Sequence, residues 1–163
     1  MHEVKRILVP TDFSEVSHAA MSMALQLASD YDAQIYVLHV VKDMDREFRK
    51  RLVSAPNDDV IETAIRNGEK AILDAIELER SRAKEAGKTL KNSPIKMFVT
   101  GGEWFEVTLN LIDEHDIDLV VTGTHGGTGI KAMLTGSMSE KLVRKAPCSV
   151  YVVKPQGYPY LRD

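Results

Sequence analysis

Short apolar runs alternate along the chain with longer amphipathic stretches. The short runs are rich in β-branched residues and favour β-strands, and five of them stand at residues 7–9, 35–41, 95–99, 119–121 and 149–153. The longer stretches have the spacing of helices that are apolar on one side, and they cover residues 14–30, about 58–86, 103–114 and 137–145. The pattern predicts strands and helices that alternate throughout.

This alternation predicts an α/β fold, because a helix between two strands returns the chain for a parallel pairing through a right-handed crossover. We therefore expect a doubly wound sandwich with a five-stranded parallel sheet and helices on both faces. A chain of 163 residues with 44% hydrophobic residues fits one domain. We expect that domain at residues 1–155, a tail at 156–163, and a flexible excursion in the charged segment 42–59.

Composition and charge argue against several classes of protein. The formal net charge is −3 and no block of Lys and Arg stands apart from acidic neighbours, which argues against a nucleic-acid partner. No apolar stretch approaches the roughly 18 residues of a membrane span, and the N-terminal apolar run is too short for a signal peptide. The single Cys148 cannot form an internal disulfide. The cytoplasm is the expected compartment.

One stretch is unusually rich in glycine: GTHGGTGIKAMLTGS, from Gly123 to Ser137. It joins the fourth strand to the last helix, and open parallel sheets bind ligands beyond the carboxyl ends of their strands, where the strand order reverses. Backbone amides and the positive end of the helix would converge there and suit an anion, phosphate above all. Ser137 and Glu140 also have the spacing of a capping box. The alternative is that the glycines serve only turns and Ser137 only caps the helix.

The spacing Gly123-x2-Gly126-x9-Gly136-Ser137 resembles the nucleotide loop of the ATP-binding branch of the universal stress protein family (UspA-like). Three further blocks are similar to that family: ILVPTDFSE at 7–15, VLHVV at 37–41 and EKLVRKAPCSVYVV at 140–153. The resemblance implies a strand order of 3-2-1-4-5, a nucleotide ligand (ATP, AMP or ADP) with Mg²⁺, and a homodimer.

The resemblance also implies a set of nucleotide-binding residues. Asp12 would lie near the adenosine and the Mg²⁺, Val40 would meet the adenine through its backbone, and Gly123 would shape the turn. The remaining implied residues are at the end of the first strand or hold the phosphates: Pro10, Thr11, Gly126, Gly127, Gly136, Ser137, Met138 and Ser139. For Asp12 a second reading stays open, because Asp12-x-x-Glu15 has the spacing of a capping box for the first helix.

Two positions depart from the family pattern. Trp104 stands where the family usually has a proline at the start of the third helix, and we expect it to pack into the core rather than stack on a base. Gly127 stands where many relatives carry a basic residue, which leaves Lys131 as the only cation of the loop and predicts modest phosphate affinity. The histidines show no paired metal-ligand spacing, so no metal cage is expected.

Two functions from different classes fit these features. One is a stress-response regulatory module, in which an adenine nucleotide changes the conformation or the binding of an unidentified protein partner. The other is a slow ATP hydrolase or an adenylate-transferring enzyme. The chain has no H-x-G-H, S-G-G-x-D-S or GxxxxGK[ST] motif and no Glu or His clearly placed to activate water. We therefore predict the regulatory module, without catalytic residues and with at most incidental ATP hydrolysis.

The last strand, residues 149–153, would form an edge of the sheet in the implied order. Its alternate faces are both apolar, with Val150 and Val152 on one and Tyr151 and Val153 on the other. An open apolar edge invites aggregation, whereas antiparallel pairing with a second copy closes it. We expect a homodimer through this strand. The alternative is that the tail folds back over the same edge.

Overall fold

The computed structural model describes residues 3–41, 58–124 and 138–154 of the chain. This part contains five strands: β1 (Arg6–Pro10), β2 (Gln34–Val40), β3 (Ile95–Thr100), β4 (Leu119–Gly123) and β5 (Ser149–Val153). It also contains four helices: α1 (Glu15–Tyr31), α2 (Asp58–Glu85), α3 (Trp104–Glu114) and α4 (Met138–Lys145). The charged segment 42–57 and the tail from residue 155 onward lie outside the described residues.

The sheet has the order β3-β2-β1-β4-β5, and every neighbouring pair is parallel. This confirms the predicted five-stranded parallel sheet, its strand order and the doubly wound fold. The chain moves outward from β1 to β3 and then returns to β4 on the other side of β1. The order of the strands therefore reverses between β1 and β4, which is where open α/β sheets bind their ligands.

Helices cover both faces of the sheet, as the alternation predicted. Side chains of a strand point to opposite faces in turn, so Ile35 and Val37 lie in one core while Tyr36 and Leu38 lie in the other. The first core is closed by α1 and α2, and the second by α3 and α4. Met21 and Leu25, one turn apart on α1, are both buried in the first core.

A buried carboxylate connects the two helices of the first face. Glu79 of α2 is only 3% exposed, and its Oε1 accepts hydrogen bonds from Arg82 (2.7 Å) and from Nδ1 of His18 on α1 (3.2 Å). A buried carboxylate is costly unless it is hydrogen-bonded. These contacts therefore fix α1, whose N-terminus begins at the carboxyl edge of the sheet, against α2.

No helix in the described ranges is long and apolar enough to cross a membrane.

Candidate functional site at the carboxyl edge of the sheet

Several predicted site residues lie together at the carboxyl ends of three neighbouring strands. β1 ends at Pro10, β2 at Val40 and β4 at Gly123, and β1 lies between the other two. Because the strands are parallel, these three ends lie at the same edge of the sheet. Thr11 and Asp12 come directly after β1 and therefore also lie at this carboxyl edge.

The first turn of α4 also lies at this edge. It contains Met138 and Ser139, and Ser139 is buried and donates from Oγ to the carbonyl oxygen of Thr124 at 3.1 Å. The beginning of α4 is thus tied to the residue that follows β4. The other four predicted loop residues lie outside the described residues: Gly126, Gly127, Gly136 and Ser137.

The turn between β1 and α1 corrects the reading of Asp12 as the helix cap. The N-cap of α1 is Ser14, whose side chain accepts from Ser17 N at 3.3 Å. Asp12 Oδ1 instead accepts from Ser14 N (3.1 Å) and Ser14 Oγ (2.6 Å). The helix therefore begins two residues later than the reading of Asp12 as the cap predicted. The Asp12 carboxylate lies outside the helix and stabilises the capping residue Ser14 through these two hydrogen bonds.

Phe13 makes this turn sharp, because its backbone is left-handed with φ of 60°. Residues other than glycine seldom adopt that conformation, and it persists only where the surroundings enforce it. Thr11 provides part of that enforcement. Its Oγ1 accepts from Phe13 N at 3.1 Å and donates to Ser17 Oγ at 3.2 Å. The backbone around Asp12 is consequently held by hydrogen bonds on both sides.

The ladder of backbone hydrogen bonds between β1 and β2 ends at Thr11, where this turn begins. Its last backbone bond runs from Thr11 N to Leu38 O (2.8 Å), and among the described residues no backbone bond joins Thr11 to Val40. In a parallel ladder alternate residues face the same neighbour, so Val40 N–H and C=O face the β1 side, as those of Leu38 do. They therefore point into the space beyond the end of β1, beside the turn that carries Asp12.

Gly123 is constrained by packing against α1. A Cβ atom at this position would overlap Cγ1 of Val16 and would lie 2.9 Å from its carbonyl oxygen. The end of β4 thus passes so close to the first turn of α1 that no side chain fits between them. We predicted that Gly123 shapes a turn, and the close approach supplies a physical reason for glycine that the sequence did not reveal.

The hydroxyl of the residue after Gly123 has no partner among the described residues. Thr124 N donates to Val153 O at 3.2 Å, and Thr124 O accepts from Ser139, but within the ranges 3–41, 58–124 and 138–154 its buried Oγ1 has no hydrogen-bond partner. A buried hydroxyl without a partner costs about 1–3 kcal/mol. Sequence reasoning did not single out Thr124. The signal that the sequence offered for this residue was a hydroxyl-bearing side chain directly after the first glycine of the loop.

The electrostatic features of this part of the chain are sparse. No cluster of three or more His, Cys, Asp and Glu residues that could hold a metal occurs in the ranges 3–41, 58–124 and 138–154. Burial raises the pKa of the Cys148 thiol above its ordinary value of 9.0.

Trp104 packs against the second core, with its ring centroid 5.7 Å from that of Phe105. This confirms the expectation that Trp104 is a packed residue.

Comparison with known proteins identifies the family. A sequence model of a protein family, described as the universal stress protein family, matches residues 3–154 of this chain. Universal stress protein YxiE from Bacillus subtilis is 30% identical over 151 residues, which cover 91% of this chain and 98% of YxiE. Universal stress protein MJ0577 from Methanocaldococcus jannaschii is 26% identical over 160 residues, which cover 92% of this chain and 94% of that protein.

Solved structures agree with the sequence comparison. The MJ0577 structure matches with a TM-score of 0.67 at 22% identity, covering 95% of this chain and 99% of the other. A universal stress protein in complex with cAMP matches with a TM-score of 0.61 at 23% identity, covering 93% and 98% respectively. At this identity the likeness establishes a shared fold. Together with the family match, it shows that the chain belongs to the universal stress protein family.

Proposed function

We propose that this protein binds an adenine nucleotide, ATP first, with Mg²⁺ at the carboxyl edge of its sheet and acts as a stress-response regulatory module. The observation that carries the proposal is the interrupted ladder between β1 and β2. It leaves the N–H and C=O of Val40 directed into the crevice beside Asp12. A donor and an acceptor on adjacent backbone groups complement adenine, which presents an amino donor beside a ring-nitrogen acceptor.

The other residues at this edge fit the remaining parts of the nucleotide. Asp12 would face the ribose hydroxyls or share Mg²⁺ with the phosphates, since Mg²⁺ is commonly held by one or two carboxylates and by substrate phosphates. Backbone N–H groups of Gly126, Gly136, Ser137 and Met138 would hold the phosphates, beside Gly127 and Ser139. The Thr124 hydroxyl would donate to a phosphate oxygen and so gain a partner that the described residues do not provide.

The relatives support a nucleotide of this class. One structural neighbour was solved in complex with cAMP, which is an adenine nucleotide.

The regulatory reading follows from the same residues. Each of the groups assigned above binds or orients the nucleotide, and none is placed in the role of a general base. Bound nucleotide would tie the ends of β1, β2 and β4 to the start of α4, and a protein partner would sense the resulting conformation. Slow ATP hydrolysis would be incidental to this function, and the proposal assumes the cytoplasmic setting that the sequence predicts.

We further propose that two copies pair through β5. This strand lies at the edge of the sheet, and Tyr151 is 43% exposed on it while Val153 is buried in the first core. Antiparallel pairing of two β5 strands would satisfy their edge amides and cover Tyr151.

Calorimetric titration with ATP and Mg²⁺ tests the proposal. The wild type should bind, whereas Gly126→Val and Gly136→Val should bind at least tenfold more weakly, because valine methyl groups would occupy the phosphate position. Gly87→Ala is the matched control: Gly87 follows α2 with φ of 75° and open space around it. Equal affinity in all four proteins would refute the proposed phosphate cradle.

A further inference from the structure

The most unusual contact at the carboxyl edge is made by His39, a polar residue within the apolar strand β2. Its Nδ1 lies 3.0 Å from the carbonyl oxygen of Thr11. A carbonyl oxygen only accepts hydrogen bonds, so Nδ1 must carry the hydrogen and donate it. The contact therefore fixes the Nδ1–H form of the ring.

The same carbonyl oxygen is the next acceptor in the ladder between β1 and β2. The register pairs Pro10 with Leu38, and Thr11 N donates to Leu38 O at 2.8 Å. In a parallel ladder the following bond would run from Val40 N to Thr11 O. The His39 imidazole bonds to this oxygen, whereas Val40 N–H makes no bond to it among the described residues.

The ring is held firmly where it makes this bond. Its centroid is 4.5 Å from that of Phe13, the left-handed residue of the turn. On another side lies Gly68 of α2, where a Cβ would clash with Val99 (2.6 Å from Cγ1) and would be in ordinary van der Waals contact with His39 Cδ2 (3.4 Å). Phe13 on one side and the backbone of α2 on the other therefore limit how far the ring can move from Thr11.

We propose that His39 is a positioning residue of the nucleotide site: by turning the Thr11 carbonyl toward its own ring it ends the ladder one bond early and leaves the Val40 amide for the ligand. This inference rests on the proposed function for its ligand, but the ladder it describes exists without one. His39 would not contact the nucleotide itself. It would position Val40 through its contacts with Thr11 and Phe13.

The variants are chosen to separate the hydrogen bond from the packing. His39→Leu fills much of the same space and removes the donor. His39→Asn places an amide N–H close to the position of Nδ1 and should keep the bond. His39→Gln carries the same amide one methylene farther out and should lose it. Thermal unfolding of each variant reports folding separately from the site.

Two readouts need no nucleotide. Long-range ¹H–¹⁵N spectra of the wild type should show the Nδ1–H form of His39. Amide hydrogen exchange at Val40 should be at least tenfold slower in His39→Leu than in the wild type, because Val40 N–H can then donate to Thr11 O. An Nε2–H ring, or Val40 exchange that is the same in His39→Leu, His39→Asn and the wild type, would overturn the inference.

Calorimetric titration with ATP and Mg²⁺ gives the third readout. Loss of one hydrogen bond to the ligand should weaken binding by about fivefold to tenfold in His39→Leu and His39→Gln, while His39→Asn stays within about twofold of the wild type. Should His39→Leu fail to fold, the Asn and Gln pair decides the matter. Equal affinity in that pair would contradict the positioning role. A wild type that binds no ATP would instead refute the proposed function, and the Val40 exchange rates would still decide whether His39 interrupts the ladder.

Discussion

Replacing Gly123 by alanine tests how the end of β4 is packed. The new Cβ would overlap Cγ1 of Val16 and would lie 2.9 Å and 3.1 Å from the Val16 carbonyl oxygen and carbon. The Val16 side chain can rotate, but its backbone belongs to the first turn of α1 and cannot move without shifting the helix. The substitution therefore forces β4 and α1 apart.

The size of the effect follows from known costs of overpacking. One added methyl in a well-packed region costs about 1–3 kcal/mol, and the contacts with backbone favour the upper half of that range. Alanine restricts the unfolded chain and returns about 0.4–1 kcal/mol. The expected loss is about 2 kcal/mol, which lowers the melting temperature of a chain of this size by roughly 4–8 °C.

Thermal and urea unfolding of Gly123→Ala, Val16→Ala and the double variant provide the assay. Val16→Ala removes the overlapping methyl group but leaves the backbone contacts, so the double variant should be destabilised by less than the sum of the two single changes. Gly87→Ala is a comparison variant without overlap: Gly87 has open space around it but φ of 75°, so this change reports only the cost of a left-handed alanine. An unchanged melting temperature in Gly123→Ala, or strict additivity in the double variant, would refute the packing argument.

Three further predictions concern chemistry, reactivity and assembly. ATP turnover measured by phosphate release should lie far below the enzyme median of about 10 s⁻¹, and turnover near that rate that a site mutation abolishes would overturn the regulatory reading. Because burial raises the pKa of the Cys148 thiol above 9.0, the native thiol should react with a disulfide reagent at pH 7 more slowly than the thiol of the unfolded chain, and equal rates would contradict this. The stability that the neutral thiol contributes should be present below about pH 9 and lost as the pH rises through the raised pKa. Light scattering at micromolar concentration should give a dimer mass for the wild type and a monomer mass for Val152→Lys, whereas a dimer that survives this substitution would place the interface elsewhere.

Much of the fold could be predicted from local patterns. A short run rich in β-branched residues predicted each strand. The observed bounds of the strands lie within two residues of the predicted ones, as for Ile95–Thr100 against 95–99. Alternation of strands and helices then left few parallel arrangements. The strand order came with the family resemblance, since the pattern of apolar residues does not say which strands are neighbours.

The details of the site depended on contacts between distant parts of the chain. Asp12 and Ser14 are both good N-cap residues, and only the left-handed Phe13 between them decides that Ser14 caps α1. The need for glycine at 123 arises from Val16, which is far away in sequence. The contact of His39 with Thr11 arises because β2 continues two residues beyond Leu38, the partner of the last residue of β1. No periodicity or local spacing encodes such contacts.

The site itself can be tested by following the backbone amides in ¹H–¹⁵N correlation spectra while ATP and Mg²⁺ are added. The largest shifts should fall on the residues at the ends of β1, β2 and β4 and at the start of α4: Thr11, Asp12, Val40, Thr124 and Ser139. Residues at the opposite edge, such as Gln34 and Ile95, should hardly move. Unchanged spectra at millimolar ATP, or shifts confined to residues away from the carboxyl edge, would contradict the proposed nucleotide site.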